Sequence, residues 1–161
     1  MKLRLKEREL VAVAVSVAAG CRPCTDYHLK AARGAGLGDD EIRQAVKDAM
    51  SIRQNALEVM KAYGLQRLGE DTDVPVDNGR EGTRIRELVA VAAAFAVNCT
   101  ANLERHLNAA RALGITDDEI DEVTKLARFI KGKAASHVES MVAVAESEES
   151  DTVASVGCES V

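Results

Sequence analysis

Residues 17–28 read VAAGCRPCTDYH: two cysteines three positions apart, then a histidine four residues after the second. Three chemistries fit such a stretch. Cys21 and Cys24 form a C-x-x-C pair able to cycle between dithiol and disulfide, with His28 as its base. The same residues are also half of a zinc site, which takes four ligands and commonly two such pairs. Read from residue 1, the basic start MKLRLKER, an apolar run and small residues before Cys21 have the look of a lipoprotein signal.

The elements around the pair weigh against the signal and leave it a minor reading. Glu7 and Glu9 put acid into its supposed basic region, and the segment recurs in mid-chain. Shifted by 78 residues, the sequence matches itself: ELVAVAVSVAAGC (9–21) faces ELVAVAAAFAVNC (87–99), and HLKAARGAGLGDDEI (28–42) faces HLNAARALGITDDEI (106–120). Nearly half of the pairs across 8–56 and 86–134 are identical without a gap. The apolar start is therefore an element of a duplicated unit. Each unit reads as three helices. The first is alanine-rich and apolar on all sides, which predicts burial. Gly20 ends it, and Pro23 suits the first turn of the next helix, which runs to about Arg33. A third starts near Asp39, with Ile42, Ala45, Val46, Ala49, Met50, Ala56, Leu57 and Met60 expected on one apolar stripe. In the second unit Thr116 and Glu119 spell a capping box. The expected organisation is a first helical unit over 1–68, a linker over 69–83, a degenerate second unit over 84–145 and an acidic, flexible tail over 146–161.

With helices assigned, redox chemistry explains more residues than zinc. Cys24 follows Pro23 at a helix N-terminus, where free N–H groups and the dipole favour a thiolate. His28 lies one turn on, on the same face, placed to take or give a proton. Cys21 is placed to attack a sulfenic acid on Cys24 and close a disulfide. Cys99 and His106 match Cys21 and His28 across the repeat, but Asn102 stands where Cys24 should be. The second unit keeps the frame and lacks the pair. A zinc site drawn from Cys21, Cys24, His28, Cys99 and His106 needs both units to converge, and no spacing demands that. No metal and no cofactor are expected.

Glu9, then Cys21 twelve residues later, then C-R-P-C-T-D-Y-H, resembles the E-x11-C-x-x-C-x3-H motif of the AhpD-like alkylhydroperoxidases, within the carboxymuconolactone decarboxylase superfamily. The resemblance covers both units, and its motif falls on the first. It implies an all-α bundle of two tandem homologous helical units. It also implies reduction of hydroperoxides, with Cys24 as the attacking cysteine, Cys21 as the resolving one, and Glu9 and His28 as a proton relay. A dithiol or a redox partner protein would restore the thiols, and assembly into homo-oligomers, trimers first, is implied. Glu9 meets His28 only if the second helix returns along the first, since twelve helical residues span ~18 Å. Glu87 and His106 repeat that arrangement without the nucleophile. Two other readings stand beside it: a non-redox acid–base enzyme run by Glu9 and His28, and a redox-sensing scaffold.

Composition narrows the partners. The net charge is -5 and aromatic residues make up 2% of the chain, so neither phosphate attraction nor base stacking supports nucleic-acid binding. No apolar run approaches a membrane span. A cytoplasmic setting is expected, because reducing conditions favour a reactive cysteine pair over a structural one. Cys158, among acidic residues near the end of the chain, is expected to be an ordinary exposed thiol.

Overall fold

The computed structural model describes residues 2–74 and 82–147 (of 144–147, the helix only). The expected Cys158 thiol, most of the tail and part of the linker lie outside these residues. Among the described residues there are six helices and no strand: α1 (Leu5–Ala18), α2 (Arg22–Gly34), α3 (Asp39–Arg67), α4 (Arg84–Ala96), α5 (Thr100–Ala112) and α6 (Asp117–Ser147). The fold is all-α, three helices from each copy of the repeat. The last helix continues two residues into the segment expected to be tail.

The centre follows from composition. α1 and α4 have no polar face, so each must be surrounded. They pack on each other, α1 also against α2, α3 and α6, and α4 against α5, α6 and α3. The long helix of each copy thus crosses to the other copy's central helix, the reciprocal pattern of a pseudo-two-fold. Residues 10–16 and 88–94 are all buried, mostly as alanine and valine. Small side chains let two helices approach closely, and their area removed from water is the main stabilising term.

Local signals end and start these helices. Gly20, at φ +74°, closes α1 and turns the chain into α2. Its counterpart Asn98 takes φ 58°, a left-handed conformation that asparagine tolerates better than most residues. The capping box of α6 forms as expected: Thr116 N–H donates to Glu119 Oε2 at 3.0 Å, and Glu119 N–H to Thr116 Oγ1 at 3.3 Å. α3 departs from its expected stripe. Ile42, Ala45, Ala49 and Ala56 are buried, joined by Ile52 and Ala62, whereas Met50, Leu57 and Met60 are exposed. From Ile42 to Ala56 the buried set steps by three and four residues. Val46 is partly buried against the core, and the exposed set, 50–57–60, lies on the neighbouring row, rotated past its edge.

A charged cluster joins the two copies at one end. Arg84 donates to Glu7 Oε1 at 2.8 Å and to Glu119 Oε1 at 2.7 Å. The hydrogen bond from Arg84, then that from the Thr116 N–H, hold Glu119 down at a pKa of about 2 against the opposing effect of burial. Burial raises the Glu7 carboxyl, but the hydrogen bonds from Arg84 and the Arg4 backbone outweigh it, and its pKa is lowered.

Candidate active site

Cys21 is the N-cap of α2, in extended backbone conformation, and its Sγ accepts a hydrogen bond from the Cys24 N–H at 3.2 Å. Pro23 sits in the first turn, where its lack of N–H is harmless. Two further bonds fix the corner: Cys21 N–H to Ser16 O at 3.0 Å and Thr25 Oγ1 to Cys21 O at 2.8 Å. The Cα atoms of Cys21 and Cys24 stand 5.3 Å apart, and their sulfurs are joined as a disulfide. Cys24 is wholly buried, and Cys21 is 7% exposed. The free N–H of this helix start, expected to favour a thiolate at Cys24, is directed to the sulfur of Cys21.

α2 packs back along α1, so Glu9 and His28 come together: His28 Nδ1 lies 4.0 Å from Glu9 Oε2. That is too long for a direct hydrogen bond, and His28 Nδ1 is buried without one. Tyr27 sets its ring edge-on to His28, centroids 5.0 Å apart. Burial lowers the His28 pKa below 6.5, which leaves a neutral imidazole at pH 7. Burial also raises the Glu9 carboxyl, against the pull of Arg8. Glu9 and His28 line a cavity of about 320 Å³ together with Ala12, Phe129 and Lys133. Neither cysteine lines it.

The disulfide borders a different cavity, of about 470 Å³, lined by Cys21, Arg22, Lys131, Ala134, His137 and Met141 among others. One ring nitrogen of His137, on α6, and the two sulfurs all lie within 4.8 Å of one another. Reduced, these three groups are the kind that hold a soft cation; joined as a disulfide, the sulfurs offer no thiolate. Nothing in the sequence flagged His137. It lies just past the matched span 86–134, and its counterpart under the 78-residue shift is Val59.

The second copy holds a tighter version of the acid–base pair. His106 Nδ1 and Glu87 Oε2 are 2.7 Å apart, both side chains buried. Asn102, in place of a cysteine, donates to Cys99 Sγ at 3.2 Å. Cys99 is buried and free of any disulfide.

Compared with known protein families, the chain matches the carboxymuconolactone decarboxylase family over residues 1–64 and 76–146, one stretch for each copy. It belongs to that family. The comparisons with curated proteins and with solved structures find no match. Family and cysteine pair together support an AhpD-like member of the family. No helix among the described residues is long and apolar enough to cross a membrane.

Proposed function

We propose that this family member is a thiol-dependent peroxidase that reduces hydroperoxides through Cys24 and Cys21. The observation that carries the reading is the Cys21–Cys24 disulfide at the start of α2, one helical turn from a neutral His28 that faces Glu9. In the reduced protein neutral His28 takes the proton of the Cys24 thiol, the thiolate attacks the terminal peroxide oxygen and the O–O bond breaks. The alkoxide leaves with a proton delivered by His28, and Cys24 becomes a sulfenic acid. Cys21 then attacks the Cys24 sulfur, its proton leaves with the hydroxyl as water, and the disulfide closes. A dithiol returns two electrons and two protons. Glu9 serves His28 as a proton reservoir, across a 4.0 Å gap that a water or the substrate can bridge. A reducing, cytoplasmic setting and assembly as a homo-oligomer, a trimer first, belong to the same proposal.

The test is peroxide consumption with a dithiol donor. Cys24→Ser is expected to abolish it. Cys21→Ser is expected to allow one turnover and leave a sulfenic acid or mixed disulfide on Cys24. Multiple turnover by Cys24→Ser would defeat the assignment.

A second reading has an observation of its own. The Glu9–His28 cavity holds no cysteine, and the cysteine-poor copy keeps Glu87 and His106 at 2.7 Å. Non-redox acid–base chemistry on a small carboxylate or lactone would use those pairs. Under that reading Cys24→Ser leaves turnover intact and His28→Gln removes it.

A further inference from the structure

The duplication supplies an internal comparison. The shift by 78 residues that pairs Cys21 with Cys99 also pairs the cavity at the disulfide with one around Cys99, lined by Arg53, Leu57, Met60, Ala96 and Asn98 among others. Lys131 becomes Arg53, Ala135 becomes Leu57 and Val138 becomes Met60. His137 becomes Val59, which does not line the second cavity. The Glu–His pair is present in both copies and does not follow the cysteine pair. His137 does: a histidine stands at this position only in the cavity whose wall carries a disulfide.

The two cavities next to α2 also divide the labour. One has the Glu9–His28 pair and no sulfur; the other has Cys21 and His137. Cys24 lines neither. A reductant approaching the oxidised protein therefore meets Cys21 first, from the side of α6.

We propose that the cavity between α6 and the start of α2 is the site where a dithiol reductant attacks the disulfide, with His137 carrying the proton of that exchange. The inference rests on the dithiol-regenerated cycle proposed above. His137 takes the proton of the entering thiol, and the resulting thiolate attacks Cys21 Sγ. The Cys21–Cys24 bond breaks, Cys24 leaves with both bonding electrons, and His137, close to both sulfurs, returns the proton to it. The reductant's second thiol then gives its proton to His137 and attacks the reductant's sulfur in the mixed disulfide; Cys21 leaves as a thiolate that the Cys24 N–H stabilises, and takes that proton back from His137. The reductant ends as a disulfide and the protein as a dithiol. The charged groups on the other walls, Arg22 from α2 and Lys131 from α6, are both cationic and favour an incoming thiolate; the corner after α1 adds only Ala19 and Gly20 there, and α4 only Ala96.

The reductive half-reaction tests this without peroxide. Oxidised protein is mixed with dithiothreitol, quenched by alkylation, and the protein thiols are counted by mass. His137→Gln is expected to lower the second-order rate constant about tenfold or more at pH 7. The gap should close above about pH 9, where thiols ionise unaided. Imidazole added to His137→Ala should restore part of the rate. A parallel arm with reduced thioredoxin distinguishes a protein source of the dithiol from a small one, the faster donor being the source; a tenfold loss with either upholds the role of His137. Wild-type rates in His137→Gln at every pH would overturn it, as would a uniform slowing that imidazole does not rescue. If the wild-type disulfide resists both dithiols, the cycle and this inference fall together. If it is reduced but no peroxide is consumed, the peroxidase reading alone falls.

Discussion

At the scale of the residue, the proposed cycle makes His28 the group expected to govern the pH dependence of the peroxide step. Burial lowers its pKa from 6.5, so the neutral base is the majority form at pH 7. Protonation removes the base, so activity is expected to hold from neutral pH down to a point below 6.5 and then fall. His28→Gln should lower kcat/KM by 10²–10⁴-fold, the usual range for a positioned acid–base group, and erase that acidic limb. A pH–rate profile with an apparent pKa above 6.5 would contradict the assignment. The same burial affects stability. The unfolded chain takes up a proton near pH 6.5 while the folded chain does so only lower, so acidification through that window destabilises the fold. Spacing made Cys21, Cys24 and His28 legible, since three- and four-residue steps on a helix fix a shared face. Glu9 needed the return of α2 along α1, and His137 comes from the other copy. No local pattern encodes a neighbour more than a hundred residues away.

At the scale of the element, the central helices and the caps carry the stability. Ala14 and Ala93 are fully buried where α1 and α4 are packed on all sides. Ala93→Leu should cost about 1–3 kcal/mol by overpacking, measurable as a lowered denaturant midpoint at unchanged slope. Glu119 contributes differently. Its folded pKa of about 2 lies under the ordinary carboxyl value of 4.5, so its ionised form stabilises the protein above pH 4.5 and that contribution is lost as the pH falls toward 2. Glu119→Gln is expected to cost roughly 1–2 kcal/mol at pH 7, a figure kept small because Arg84 is partly in water, and to flatten the acid limb of the stability curve. An acid limb equally steep in the variant would refute this. The six helices were legible because alanine-rich runs, Gly20, Pro23 and the Thr116–Glu119 box are local signals. The burial of α3 was only half legible. Two adjacent apolar rows on one helix look alike in sequence, and only the packing partner selects 42–45–49–52–56 over 50–57–60.

At the scale of the whole molecule, two repeats share one core and one of them carries the cysteine pair. The row left exposed on α3, with Leu57 at 61% and Met60 at 60%, is apolar surface beyond what a lone chain needs. If it is the face between protomers, Leu57→Glu with Met60→Glu should lower the mass seen by light scattering from an assembly toward the monomer. A wild-type chain that is monomeric at all concentrations would count against an oligomer. In the proposed cycle the pair in the first repeat reduces hydroperoxides at the expense of a dithiol. The most direct test is to follow loss of an organic hydroperoxide with dithiothreitol as donor, in wild-type protein and in Cys24→Ser. Continuous consumption by the wild type is expected, with one disulfide of donor formed per peroxide lost, and none above the uncatalysed rate in the variant. Equal consumption by both proteins, or none by the wild type while its disulfide is readily reduced, would contradict it.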